Sequence, residues 1–156
     1  MKTIIVLYAR EKKGKSKTLR ELAYLYKKAF SKLIKFIEPN TGELFESGDF
    51  NFIFKIKSKI FAIISQGDPN TGILQRLNEI KYNYDCNLIY CATRTRGQTV
   101  WDVDTFAKEN NYKVIWTSPY QTNLNNEKIN KLKAKHLLDL GENINESKID
   151  VNNGCS

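Results

Sequence analysis

The residues from Ala9 to Ser16 have the spacing of a phosphate-binding loop. The pattern G-x-x-x-x-G-K-[ST] combines a tight turn, a lysine that reaches the outer phosphates and a hydroxyl that binds Mg²⁺. Gly14, Lys15 and Ser16 supply the second half of this pattern, and Ala9 stands in place of its first glycine. The spacing therefore predicts that Lys15 binds a nucleotide and acts in catalysis, and that Ser16 binds the nucleotide and Mg²⁺.

Positive charge surrounds this loop. Lys12, Lys13 and Lys17 lie close to Gly14 in the chain, and Glu11 is the one acid of the loop. Lysines near a helix N-terminus add to the attraction of its backbone N–H groups for phosphate. We assign Lys12, Lys13, Gly14 and Lys17 to the cofactor-binding site. The alternative is an ordinary solvated loop rich in lysine.

A second candidate group follows the apolar run Ile60–Ile64. Asp68 stands where a carboxylate would hold Mg²⁺ opposite Ser16, so we assign it to the metal. Gln66 could orient an attacking water and is a catalytic candidate. The alternatives are a helix N-cap for Asp68 and a surface amide for Gln66.

Two arginines follow the apolar run Asn87–Ala92. Arg94 and Arg96 would stabilise the negative charge that develops on a transferred phosphoryl group, and we assign both to catalysis. Gly97 frees the turn that follows them. The alternative is a pair of solvated loop arginines.

The elements that must position these residues alternate between strands and helices. Thr3–Tyr8 is a continuous apolar run typical of a buried parallel strand, and helical spacing follows it over residues 16–31. Residues 49–64 read as an antiparallel hairpin that leads into a buried strand. The pattern predicts a three-layer α/β fold with a mostly parallel sheet and an antiparallel hairpin toward one edge. Ligands bind beyond the carboxyl ends of the strands in such sheets, where the candidate residues fall.

The last helix is expected over residues 125–140, with Leu132 on its inner face. Trp116, in the last strand, is expected in the core, and His136 is expected to be a packed or partly exposed residue. Residues 1–142 are expected to form one domain, and residues 143–156 a polar, disordered tail.

The bulk composition restricts the function. With one histidine, His136, the chain cannot form a multi-histidine metal site, and its three cysteines read as reduced thiols. No apolar run is long enough to span a membrane and no signal-peptide pattern is present, so a cytoplasmic location is expected. The net charge of +8 favours an anionic partner, either a nucleotide or a nucleic acid or protein that binds the basic surface.

Four segments together resemble a known family. The segments KTIIVLYAREKKGKSKTLREL, IFAIISQGDP, CATRTRGQTV and VIWTSPY are similar to the small, single-domain bacterial ATP-binding P-loop NTPase-like proteins. The resemblance covers most of residues 2–120. It implies a P-loop NTPase fold, with a Mg-nucleotide at Lys15 and Ser16 and with Asp68 at the metal.

The identity of the nucleotide follows from what the chain lacks. Guanine recognition would require N-K-x-D after the fifth strand, where the chain has Cys-Ala-Thr-Arg, so ATP is favoured over GTP. We expect an ATP-binding protein with slow ATP hydrolysis or phosphoryl transfer. One alternative is a small-molecule or nucleotide kinase, although no separate insertion of lid length stands out unless Pro39–Asp49 serves as one. A second is a non-enzymatic module that binds nucleic acid or protein.

Overall fold

A computed structural model of the chain describes residues 2–10, 14–44, 46–66, 72–120 and 123–154, the last ten of them as backbone only. Six strands and four helices make up the described part. In chain order they are β1 (Lys2–Tyr8), α1 (Lys15–Ala29), β2 (Ile34–Glu38), β3 (Asn51–Ile56), β4 (Lys59–Ile64), α2 (Ile73–Tyr84), β5 (Leu88–Thr93), α3 (Gln98–Asn110), β6 (Tyr112–Thr117) and α4 (Asn126–Gly154).

The strands form one sheet in the order β2-β3-β4-β5-β1-β6. Neighbours from β4 to β6 pair in parallel, and β3 is antiparallel to both of its neighbours. Among the described strands β3 alone therefore runs against the rest. The predicted α/β class is confirmed, as are the mostly parallel sheet and the antiparallel hairpin toward one edge.

Helices cover both faces of the sheet. Ile5 and Leu7 of β1 pack in one apolar cluster with α1 and α4. Ile4 and Val6 pack in a second cluster with α2 and α3. Since successive side chains of a strand point to opposite faces, the two helix pairs lie on opposite sides of the sheet. This is the three-layer arrangement that the sequence predicts.

A glycine allows α4 to pack closely on the sheet. A Cβ atom at Gly141 would lie 2.0 Å from the hydroxyl oxygen of Tyr90 and 2.9 Å from that of Tyr26. These two buried hydroxyls are 2.7 Å apart, and that of Tyr90 donates to the carbonyl oxygen of Leu137 on α4. The close approach places the first turns of α4 above the start of α1.

Three expectations about the C-terminal part differ from the structure. Trp116 is 39% exposed rather than in the core, because β6 is an edge strand with a neighbour on one side only. Leu132 is 44% exposed rather than inward-facing. The helix α4 continues to Gly154, beyond residue 140 where the last helix was expected to end. Within the described ranges, no helix combines the length and apolar character needed to cross a bilayer.

Candidate functional site: the carboxyl edge of the sheet

The carboxyl edge, where the neighbouring strands β4, β5, β1 and β6 end, brings the candidate residues into adjacent loops. After β1 the chain passes to α1 on one face, and after the adjacent strand β5 it passes to α3 on the other. Such a reversal between neighbouring strands opens a crevice at their carboxyl ends, which is where α/β sheets bind ligands. The switch between β1 and β5 therefore marks the candidate site.

Three helices begin at this edge, and each begins at a glycine. The N-cap residues of α1, α2 and α3 are Gly14, Gly72 and Gly97, and these helices have neither a side-chain cap nor an acid in the first turn among the described residues. By contrast α4 has Glu127 in its first turn, and Asn125 Oδ1 accepts a hydrogen bond from the Lys128 N–H. Helix N-termini carry partial positive charge, so three that lack an acid in the first turn favour an anion at the carboxyl edge.

Lys15 joins the two strands of the switch. Its side chain is 7% exposed, and its Nζ donates to the carbonyl oxygens of Ala9 and Thr93, each at 3.0 Å. The Thr93 oxygen also accepts a hydrogen bond from the Ala9 N–H at 3.1 Å. An ammonium group is therefore held where the candidate ligand would approach.

The backbone explains why the loop can start with alanine. Gly14 is left-handed, with φ +82°, and α1 begins directly after it. Ala9 is not among the described non-glycine residues with positive φ, so that position does not require a glycine. The substitution at the start of the motif therefore causes no backbone strain.

The other predicted cofactor residues divide into three groups. Ser16, in the first turn of α1, is half-buried, and its hydroxyl belongs to the helix end that faces the edge. Lys17 is exposed. Lys12 and Lys13 lie outside the described residues.

Asp68, the predicted second metal ligand, also lies outside the described residues. Gln66 is half-buried directly beyond the end of β4. The preceding residue, Ser65, accepts a hydrogen bond from the Phe50 N–H at 2.7 Å and so fixes the end of β4 against β3. Within the described ranges, no group of three or more His, Cys, Asp or Glu side chains is placed to hold a metal ion.

The two arginines differ in their surroundings. Arg94 is half-buried and follows Thr93, whose carbonyl meets Lys15. Its backbone N–H donates to Thr99 Oγ1 at 3.0 Å, and its carbonyl accepts a hydrogen bond from Thr93 Oγ1 at 2.9 Å. Arg96 is exposed. The backbone of Arg94 is therefore fixed at the end of β5, and Arg96 lies farther along the loop that follows.

The two cysteines in the described part of the chain do not offer a reactive thiolate to this edge. Cys86 and Cys91 are free and fully buried. Burial raises the pKa of each thiol to about 12, so both stay protonated near neutral pH.

Sequence reasoning missed one cation, Lys133. This lysine of α4 is 7% exposed, and its Nζ donates to Thr117 Oγ1, at the end of β6, at 2.6 Å. A signal was present, because Lys133 lies four residues from both Ile129 and Leu137 and so falls on the inner stripe of the helix.

The described residues thus form an α/β protein in which a buried lysine and three helix N-termini meet the carboxyl edge of the sheet. No family model matches this chain, and neither the curated proteins nor the solved structures include a match.

Proposed function

We propose that the chain is a P-loop NTPase-like protein that binds MgATP at the carboxyl edge and slowly hydrolyses it or transfers its phosphoryl group. The observation that carries this proposal is the buried Lys15, which follows the left-handed Gly14 and bridges the ends of β1 and β5. A lysine in this position can exchange its two carbonyl contacts for phosphate oxygens without moving far. The N–H groups of the first turn of α1 are available to the same phosphates.

The donor set suits a magnesium nucleotide. Ser16 supplies a hydroxyl oxygen, the type of ligand Mg²⁺ accepts beside phosphate oxygens, and Asp68 is the proposed carboxylate. When bound, Mg²⁺ neutralises the charge that develops on the transferred phosphoryl group. Arg94 would add a guanidinium from the end of β5, and Gln66 would orient the attacking water.

ATP is the proposed nucleotide, because the chain after β5 has no guanine-reading N-K-x-D segment. The cytoplasm is the proposed location.

A kinase is the second candidate, favoured by the position of the segment Pro39–Asp49. This segment joins the carboxyl end of β2 to the start of the antiparallel strand β3, so it lies at the carboxyl edge. Arg20 of α1 donates to the Gly48 carbonyl at 2.7 Å and lies over the ring of Phe50. The segment is thus tethered to the helix that begins at Lys15, where a phosphoryl acceptor would be enclosed.

The first test is a thermal-shift panel with MgATP, MgADP and MgGTP. At a ligand concentration of about 100 times Kd, binding to the folded state alone adds about 2.7 kcal/mol. That corresponds to a rise in Tm of about 5–10 °C for a chain of this size. Lys15→Ala should abolish the rise, because it removes the ammonium of the switch.

The matched control is Lys28→Ala, which removes an exposed lysine from the last turn of the same helix and should keep the full rise. Each variant is compared with its own ligand-free Tm, so that any loss of stability cancels. Lys15→Met, which keeps the apolar stem, serves if Lys15→Ala does not fold. A wild type with no shift at millimolar nucleotide would overturn the proposal.

The second test separates the arginines. If Arg94 stabilises the transition state, Arg94→Ala should lower kcat at least tenfold with little change in KM. Arg96→Ala should have the smaller effect because Arg96 is exposed. Steady-state phosphate release under MgATP measures both. A raised KM with an unchanged kcat would make Arg94 a simple binding residue.

A further inference from the structure

Lys133 is a buried cation whose contacts are a hydroxyl and an aromatic ring. Its Nζ lies 2.6 Å from Thr117 Oγ1 and 4.7 Å from the ring centroid of Tyr120. In the part of the chain that the structure describes, no carboxylate forms an ion pair with it. A buried ammonium without a counter-charge is costly, and an anionic ligand that supplied the counter-charge would offset that cost.

The position of Lys133 would let its ammonium group contact such a ligand at the carboxyl edge. Thr117 ends β6 and is in register with Leu7 of β1, so Lys133 reaches the carboxyl edge on the side of β1 opposite to β5. One turn earlier on α4, Asn130 lies over the start of α1, where a Cβ atom at Gly14 would be 2.8 Å from its Oδ1. The same face of α4 therefore borders both the loop and the end of β6.

A second contact holds the surroundings of Lys133 in place. The hydroxyl of Tyr120 and Nδ1 of His136 are 2.6 Å apart and share a hydrogen bond. This bond ties the segment after β6 to α4 and keeps the ring beside the ammonium. The cation is thus held by a tethered segment and is not a freely moving surface lysine.

We propose that Lys133 is a second cation of the anion site and binds a ligand oxygen on the β6 side of the β1–α1 loop. The inference rests on the proposed function and narrows its substrate class to an extended polyphosphate. Lys15 contacts the ends of β1 and β5, whereas Lys133 contacts the end of β6. The two ammonium groups therefore flank the end of β1 on opposite sides, and a chain of linked phosphate groups can contact both.

The experiment measures binding of ATP, tripolyphosphate and orthophosphate by calorimetry to the wild type, Lys133→Gln, Lys135→Gln and Lys15→Ala. Lys135 is an exposed lysine of the same helix and serves as the matched control. Lys133→Gln should weaken ATP and tripolyphosphate by about tenfold, because a charged contact is lost. Orthophosphate has no second phosphate group for Lys133 to bind, so it should bind Lys133→Gln as it binds the wild type. Lys135→Gln should match the wild type throughout.

A purely structural role for Lys133 predicts a different outcome, namely a lower ligand-free Tm in Lys133→Gln with unchanged ATP affinity. That result would overturn the inference. A further variant, Thr117→Val, removes the hydroxyl that links Lys133 to β6 and keeps the ammonium group. If the ammonium group itself binds the ligand, the affinity of Thr117→Val for ATP should persist. Lys133→Arg should recover most of the affinity, and it replaces Lys133→Gln if the latter does not fold.

The outcomes for the inference and for the proposed function can be separated. If Lys15→Ala abolishes binding and Lys133→Gln does not weaken it, the proposed nucleotide site is supported and the proposed role of Lys133 is overturned. If Lys133→Gln weakens polyphosphate binding and Lys15→Ala does not, the anion site stands and the P-loop proposal falls. Absence of binding in the wild type overturns both.

Discussion

At the amino edge of the sheet, where the parallel strands begin, Lys2 and Lys81 both contact the carboxylate of Asp85. At the carboxyl edge, Lys133 contacts a hydroxyl and a ring, and Lys15 donates to two carbonyl oxygens. The amino-edge lysines are also partly exposed, with 28% and 31% of their side chains accessible, whereas Lys15 and Lys133 are each 7% exposed.

The two edges therefore use the same side chain for different purposes. An exposed lysine paired with an acid contributes little to stability and can be replaced by other surface residues. A buried lysine whose contacts are neutral, as those of Lys133 are, is costly, and that cost would be offset by a bound anion. The amino-edge lysines form surface ion pairs, and the difference supports the proposal that the carboxyl edge binds an anionic ligand.

The largest expected effect on stability comes from Gly141→Ala. The added methyl group would lie 2.0 Å from the hydroxyl oxygen of Tyr90, so α4 must move away from β5. We expect a loss of about 3 kcal/mol in the free energy of unfolding, measured by urea denaturation. Displacement of α4 also withdraws Lys133, so the ATP-induced rise in Tm should shrink as well.

Two further variants test whether the contact with Tyr90 causes the stability loss of Gly141→Ala. Asn143→Ala, at an exposed position of the same helix, should change stability by no more than about 0.5 kcal/mol. Gly141→Ala combined with Tyr90→Phe removes the hydroxyl that the methyl group meets and should recover part of the loss. A wild-type stability for Gly141→Ala would contradict the close packing of α4 on the sheet.

The next largest effect is the difference in stability loss between alanine substitutions at two helix starts of the carboxyl edge. Gly14 and Gly72 have φ of +82° and +75°, but a Cβ atom would meet Asn130 only at Gly14, since nothing lies within 4 Å at Gly72. Gly72→Ala should therefore cost about 1 kcal/mol from backbone strain alone. Gly14→Ala should cost about 2–3 kcal/mol from strain and contact together.

Thermal or urea unfolding measures both glycine variants. Asn130→Ala in the Gly14→Ala background should recover the part of the loss that comes from contact. Equal losses for the two glycine variants would show that α4 does not cover the start of α1.

The smallest effect is a difference in lysine titration between the edges. Burial lowers the pKa of Lys133 below its ordinary value of 10.5. A hydrogen bond to Asp85 raises the pKa of Lys81 above the same value. Nitrogen-detected NMR between pH 8 and pH 12 should therefore show Lys133 losing its proton first.

These shifts act on stability in opposite directions. The folded state gives up the Lys133 proton before the unfolded state does, so this lysine raises the free energy of unfolding as pH increases from its folded pKa to 10.5. The contribution of Lys81 is fully present below pH 10.5 and is lost as pH rises through its raised folded pKa. Asp85→Asn should return Lys81 to its ordinary pKa and leave Lys133 unchanged. Polyphosphate should raise the pKa of Lys133 and leave that of Lys81 unchanged.

The sequence was sufficient to predict the elements and much of the carboxyl edge. Apolar runs such as Thr3–Tyr8 and Ile60–Ile64 identified the buried strands, because a strand covered on both faces has no polar alternation. The parallel direction of these strands then placed Lys15 and Arg94 at one edge. Those steps depend on local patterns, which a single sequence records directly.

Contacts between distant elements were not predictable in this way. Periodicity shows which side of α4 is buried, but it does not show that Asn130 meets Gly14 or that Lys133 meets Thr117. Trp116 was expected in the core because its strand is apolar, whereas its exposure depends on β6 being an edge strand. Strand order and helix placement decide such contacts, and neither is visible in local spacing.

The central claim, that the carboxyl edge binds a magnesium nucleotide, is tested most directly by following backbone amide signals of the wild type during a titration with MgATP. We predict the largest changes in amide chemical shift at residues 14–18 and 94–97, and no change at the amino-edge residues 57–59 and 113. Changes centred on those amino-edge residues would contradict it, because they would mark a polyanion on the basic surface. The absence of any change at saturating MgATP would also contradict it.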